Sequence, residues 1–368
     1  MPDEIAKQLD VIREKTETRK RLTLEEGVFL FRRDVSVHEV GRLADAACRQ
    51  LHAGRVYYNV NTHLNPTNVC LRKCPICAYS CSDPSDPRAT TLAIDEILAR
   101  ALQASRDGCS EIHIVGGIHP DLPASWYIDI VRQIHFAAPK LHIKAWTAAE
   151  IAHFARSDNR SIDAVLEELI EAGLGSLPGG GAEIFDPEIR QQICPDKIDA
   201  ETWLDVHRRA HRLGLRSNAT ILFGHLESPR HRIDHLLRLR ALQDETGGLL
   251  CMVPLAFHPA NTRFSDLKLA DAETMLRMIA ATRLVLDNVP HVKAYWVSLG
   301  VGVAQTALGY GANDLDGTVR GERIHQEAGA DSPDRLTVER LRLLIEETGR
   351  APTLRDTLYR PIEEKSSQ

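Results

Sequence analysis

The sequence predicts an α/β fold, a (β/α)8 barrel of the TIM type with helical extensions at its N- and C-terminal ends. Three observations lead there. From Val56 onward short apolar strands alternate with amphipathic helices, the helices close on a glycine that leads into the next strand, and the strands number eight. They centre near Tyr57, His113, Ile143, Ser176, Ala219, Val253, Ala294 and Asp314. Such alternation implies parallel strands, and eight of them suit a closed barrel better than the runner-up, an open doubly wound sheet.

Taken in order, residues 1–50 read as helices that precede the barrel, 51–320 as the barrel, and 321–368 as a C-terminal helical extension packed on it. Ile94, Ile97, Leu98, Ala101 and Leu102 fall at helical spacing, and Gly108 closes that helix before the strand Ile112 to Val115. Ile162, Val165, Leu166, Leu169 and Ile170 repeat the pattern up to Gly173. Asp199 opens the next helix, Val206, Ala210 and Leu213 line it, and Gly214 leads into Leu215 to Phe223. Ser228 and Pro229 are placed as N-cap and first helical residue of the following unit, which buries Leu236, Leu237 and Leu242 and stops at Gly247.

The chain of 368 residues carries a formal net charge of -6, with 43% hydrophobic and 26% charged residues. It has no basic stripe for nucleic acid; clusters such as Arg208, Arg209 and Arg212 fall on solvated helix faces. The stretch Met1 to Lys20 is charged rather than apolar, and no later run approaches the ~18 apolar residues of a membrane span. A cytoplasmic, reducing location without membrane or nucleic-acid partners is expected.

Cys70, Cys74 and Cys77 stand in the run Asn65-Pro66-Thr67-Asn68-Val69-Cys70-Leu71-Arg72-Lys73-Cys74-Pro75-Ile76-Cys77. Four protein ligands would close a zinc site or an electron-transfer cluster, whereas three leave one metal position open. A structural zinc site with Cys81 or His63 as fourth ligand is the competing reading. Zinc sites usually present two such pairs, however, and Cys48, Cys109, Cys194 and Cys251 stand alone, as small core residues do.

In a barrel the reactive groups lie where strands end and loops begin. Unusual residues gather there: Gly116-Gly117-Ile118-His119-Pro120 after the second strand, Thr147-Ala148-Ala149-Glu150 after the third, and Pro178-Gly179-Gly180-Gly181-Ala182-Glu183 after the fourth. His225 follows the fifth strand, His258 the sixth, and Asp316 the eighth. The glycine runs match neither the dinucleotide fingerprint nor a P-loop.

Cys-x3-Cys-x2-Cys after the first strand, with Gly-Gly after the second, resembles the radical S-adenosylmethionine superfamily. Longer runs narrow the likeness: His63-Leu64-Asn65-Pro66-Thr67-Asn68, Gly116 to Leu122, His142-Ile143-Lys144-Ala145-Trp146-Thr147, Ser176 to Glu183, and Lys293-Ala294-Tyr295-Trp296-Val297. They resemble the aminofutalosine synthase family of the futalosine route to menaquinone, from about residue 20 to about residue 350. Two departures stand out: Ile76 replaces the aromatic common before the third cysteine, with Tyr79 two positions after Cys77, and Gly-Gly-Ile replaces the common Gly-Gly-Glu.

The resemblance implies that Cys70, Cys74 and Cys77 hold a [4Fe-4S] cluster whose fourth iron takes S-adenosyl-L-methionine, a co-substrate. It implies Tyr79, Gly116, Gly117 and Glu183 at the cofactor, with a side chain at Gly117 crowding the methionine moiety and sparing the cysteine loop. The reaction implied is addition of the 5'-deoxyadenosyl radical to 3-[(1-carboxyvinyl)oxy]benzoate, giving 6-amino-6-deoxyfutalosine with loss of bicarbonate. A dicarboxylate substrate calls for cationic or hydrogen-bonding groups at the barrel mouth, for which His119, His225 and His258 are the candidates, with Asp316 as a catalytic carboxylate. An electron donor such as flavodoxin or ferredoxin is implied as partner. The cyclase acting on dehypoxanthine futalosine is the nearest alternative, and a zinc-stabilised binding module is the alternative of another class.

Overall fold

The computed structural model describes residues 2–363. Its strands are β1 (Arg55–Asn59), β2 (Asn61–Leu64), β3 (Glu111–Ile114), β4 (His142–Lys144), β5 (Ser176–Leu177), β6 (Arg216–Phe223), β7 (Leu249–Ala256), β8 (His291–Val292), β9 (Asp314–Gly317) and β10 (Ala351–Leu354). β2 to β8 form one parallel sheet in chain order, and β10, β1 and β9 form another. β1 and β2 are one run interrupted at Val60, so the two sheets are halves of a single wall.

Backbone hydrogen bonds close the ring. Ala294 N–H donates to the Asp314 carbonyl (2.8 Å), joining the seventh barrel strand to the eighth, and Tyr57 N–H donates to the Asn313 carbonyl (2.8 Å), joining the eighth to the first. Closure removes the sheet edges that would otherwise template aggregation. Helices cover the outside, and the unit after β6 shows why they start and stop where they do. Ser228 Oγ accepts from His231 N–H (3.4 Å), Pro229 opens the helix Pro229–Thr246, and Gly247 ends it at φ 61°, which a residue with a Cβ adopts at a cost.

Three helices, Pro2–Glu17, Leu24–Phe29 and Val37–His52, precede the barrel. After it come the helices Ile324–Glu327 and Val338–Glu346, and then β10, which pairs with β1 in parallel from Arg55↔Ala351 to Tyr58↔Leu354. That last segment plugs the base of the barrel. Arg355 Nε donates to Asp314 Oδ2 (2.7 Å), its guanidinium lies 4.1 Å from the Tyr359 ring, and Tyr359 stacks on His291 at 3.7 Å. With both partners buried, removing either charge costs about 3–5 kcal/mol. Among the described residues no helix is long and apolar enough to cross a membrane.

Candidate active site

The opposite end of the barrel opens into a cavity of about 320 Å³, within the range that takes small ligands. Its first wall is the loop after β2, where Cys70, Cys74 and Cys77 all face the cavity. Cys70 N–H donates to the Cys81 carbonyl and Cys81 N–H to the Asn68 carbonyl, both at 2.8 Å, so Cys81 serves as a backbone brace. Its thiol is buried and donates to the Asp83 carbonyl (3.4 Å). The fourth cysteine of the loop is therefore turned away.

Three thiols fronting one cavity fit a cluster with one open metal position. Among the described residues no three His, Cys, Asp or Glu side chains converge as a single-ion site would require. Burial pushes the Cys74 thiol up to about 12 and raises Cys70 too, so thiolate needs a cationic partner such as iron. Arg72 N–H already donates to Cys70 Sγ (3.4 Å). Tyr79 lies beside the cysteines on the same wall, buried.

The turn after β3 forms the second wall. Gly117 N–H donates to the Thr67 carbonyl (2.7 Å), Leu71 N–H to the Ile118 carbonyl (2.8 Å), and the Gly117 carbonyl accepts from the Tyr127 hydroxyl (3.2 Å). The Gly116 carbonyl accepts nothing among the described residues, which leaves it free for an ammonium group. A Cβ on Gly117 would lie 2.7 Å from the Val69 carbonyl carbon. Contrary to the expectation above, a side chain there strikes the cysteine loop itself, because the two loops pack backbone to backbone.

Where Gly-Gly-Ile lacks a carboxylate, Glu150 from the neighbouring strand end lines the cavity instead. Its Oε1 accepts from Gly116 N–H (3.2 Å) and its Oε2 from Thr147 N–H (2.6 Å), while burial lifts its carboxyl to about 7. Beyond it, Glu183 pairs with Lys197, and Thr220 Oγ1 donates to the Gly179 carbonyl (2.7 Å), holding the glycine run against β6. Burial alone would raise Glu183, but Lys197 overrides it and holds the carboxyl low. Lys197 stands in a segment between helices that carries no sequence signal of function.

Inward positions of the strands make a polar floor. Lys144 Nζ donates to Glu111 Oε2 (2.8 Å) and Lys293 Nζ to Asp316 Oδ1 (2.7 Å), each pair buried. Burial would raise Glu111, yet Lys144 and Lys293 hold it well below its usual range. Burial would lower Lys293, yet Asp316 and Asp314 lift it. His63 and His113 pair in register across β2 and β3, with ring centroids 4.6 Å apart, and burial depresses both, which favours the uncharged form. Asn218, Tyr295 and Glu322 complete the floor.

The four residues expected to be catalytic divide evenly. Asp316 and His258 line the cavity, His258 with its Nε2 2.8 Å from the Ser298 carbonyl oxygen. His119 and His225 do not. The Nδ1 of His119 accepts from Asp121 N–H (3.1 Å), and the His225 ring sits between the Leu222 carbonyl (3.0 Å) and Glu227 (3.1 Å), sealed from solvent. Each turns toward its own loop, where the Asp121 amide bonds the His119 ring and the Leu222 carbonyl bonds the His225 ring. The polar floor was missed, and its signal was period-two polarity in apolar strands: Asn61 and His63, Glu111 and His113.

Residues 64–239 match the family model described as the radical SAM superfamily, and residues 246–367 match the CofH/MqnC C-terminal region. The chain is similar to aminodeoxyfutalosine synthase of Streptomyces coelicolor, 41% identical with 96% of this chain and 94% of that protein covered. The same-named protein of Thermus thermophilus is 40% identical, with 95% of each chain covered. The 5-amino-6-(D-ribitylamino)uracil–L-tyrosine 4-hydroxyphenyl transferase of Methanopyrus kandleri is 38% identical over 88% of this chain and 89% of its own. Among solved structures, methylornithine synthase shares the fold, with a TM-score of 0.73 at 16% identity over 93% of this chain and 97% of that one.

Proposed function

Since the chain belongs to the radical SAM superfamily and uses its [4Fe-4S] cluster and S-adenosylmethionine, we propose that it is a transferase joining the 5'-deoxyadenosyl group to the enol ether of 3-[(1-carboxyvinyl)oxy]benzoate. The product is 6-amino-6-deoxyfutalosine, and the pyruvyl carboxylate leaves as bicarbonate. The observation that carries this reading is identity of 41% and 40%, over nearly the whole chain, to two proteins named aminodeoxyfutalosine synthase.

When bound, the cluster and S-adenosylmethionine supply the electron and the adenosyl group. The protein's own residues position and shield. Cys70, Cys74 and Cys77 would hold the cluster, the free Gly116 carbonyl would take the amine, and Glu183 with Lys197 would face the rest of the nucleoside. The apolar side chains Val253, Leu255 and Phe257 suit an aryl ring and would shield a reactive carbon centre from water. A flavodoxin or ferredoxin is the proposed electron donor.

Relatives 38% identical that carry the tyrosine transferase name favour a second reading, in which the substrates are L-tyrosine and 5-amino-6-(D-ribitylamino)uracil. The test is to reconstitute the protein anaerobically, reduce it, and offer S-adenosylmethionine with each substrate set. Consumption of the enol ether with formation of 6-amino-6-deoxyfutalosine supports the synthase; turnover of the tyrosine pair alone replaces it.

A further inference from the structure

The floor of the cavity holds two histidines that no group among the described residues satisfies. His63 and His113 both line the cavity, and neither ring makes a hydrogen bond among the described residues. The Nε2 of each is buried without a partner. Buried polar atoms are nearly always paired, and two adjacent orphans in register on neighbouring strands require an explanation. Rotation about the soft terminal torsion of each ring turns a nitrogen toward the cavity, so the pair can present two N–H donors side by side.

The surrounding charges say what those donors are for. Of the four cations that line the cavity, Lys144, Lys197 and Lys293 are already tied to Glu111, Glu183 and Asp316. Arg72, the one without an ion-pair partner among the described residues, stands on the cysteine loop at the mouth. A ligand with an acidic group at each end therefore meets a free cation at the top and uncharged donors at the bottom. His113 lies three residues before Gly116, roughly 10 Å along an extended strand. An aryl ring between the two levels would carry its carboxylate toward the histidines.

We propose that His63 and His113 form the subsite for the substrate's aryl carboxylate, binding it through one imidazole N–H group from each. The proposal rests on the synthase reading. Its test compares 3-[(1-carboxyvinyl)oxy]benzoate with 2-phenoxyacrylate, which lacks the aryl carboxylate, in the wild type and in His63→Phe/His113→Phe. The wild type should prefer the benzoate by ~10-fold or more in kcat/KM, as sites built on hydrogen bonds do. In the double variant that preference should fall to about two-fold, through KM, while iron content and S-adenosylmethionine binding stay at wild-type values.

His63→Phe/His113→Asn, which restores one donor, should recover part of the preference, and if the double Phe variant does not assemble its cluster the single variants His63→Phe and His113→Phe, each losing part of the preference, take its place. A preference that persists when both imidazoles are gone overturns the subsite and leaves the function reading standing. Should the wild type turn over neither compound, the substrate reading fails and takes the subsite with it.

Discussion

Gly117→Ala should dismantle the cluster site without touching a single cysteine. The added Cβ would overlap the Val69 carbonyl oxygen and lie 2.7 Å from its carbon, where ordinary contact begins at 3.4 Å, so the two backbones must part by more than about 0.7 Å. Neither can yield freely. Gly117 N–H is bonded to Thr67, Leu71 N–H to Ile118 and Cys70 N–H to Cys81, so separation strains the loop that sets Cys70. Overpacking of this kind costs about 1–3 kcal/mol, which lowers the population of the correctly formed loop by about 5- to 150-fold. Anaerobic reconstitution followed by iron, sulfide and visible absorbance reads the outcome. Gly302→Ala is the control, since a Cβ there meets nothing within 4 Å, and in a helix it stabilises by about 0.5–1 kcal/mol. Full iron and sulfide in Gly117→Ala, with the unfolding midpoint unchanged, would refute the backbone-to-backbone packing.

Replacing Cys70, Cys74 or Cys77 singly by Ala should abolish stable cluster assembly, whereas Cys81→Ala, whose thiol bonds only within its loop, should retain iron and sulfide at wild-type levels. Lys144→Met strands Glu111, buried with it, and should lose about 3–5 kcal/mol in urea unfolding; pairing it with Glu111→Leu should restore most of that, and a loss below about 1 kcal/mol in the single variant would contradict a buried ion pair. Glu150, lifted to about 7 in the fold by burial, keeps its proton where the unfolded chain gives it up. Its contribution to stability therefore falls as pH rises from about 4.5 to about 7, by up to roughly 1.4 kcal/mol per unit. The difference in stability between wild type and Glu150→Gln should decline across that window and level off above it; a constant difference would place the carboxyl at its ordinary pKa.

The barrel was legible because its signals are local and redundant. Apolar runs, helix faces at 3.6 spacing and glycines after helices agree from Val56 to Asp314, and the Ser228-Pro229 start sits where the sequence put it. β10 was not legible. Ala351–Leu354 is four residues long and is defined by its partner β1, almost the whole chain away, with no alternation of its own. That Cys70, Cys74 and Cys77 share one wall of the cavity was legible from their spacing on one short loop. His119 and His225 misled because a histidine at a strand end looks alike whether it faces the cavity or bonds its own loop, and only the Asp121 amide and Glu227 decide that. Conversely His113 read as the centre of a strand and His63 as a rival zinc ligand, and they become a pair only when β2 and β3 come into register.

In the proposed reaction the adenosyl group is transferred to the substrate rather than released. Transfer is measured by following adenine-labelled S-adenosylmethionine through a single incubation of the reduced, reconstituted protein with 3-[(1-carboxyvinyl)oxy]benzoate. Addition to the open π bond of the enol ether, held close by the cavity, should outrun hydrogen abstraction. The label should then appear in 6-amino-6-deoxyfutalosine, mole for mole with methionine formed. Label leaving chiefly as 5'-deoxyadenosine while the substrate is consumed would contradict the account and mark a hydrogen-abstracting enzyme instead.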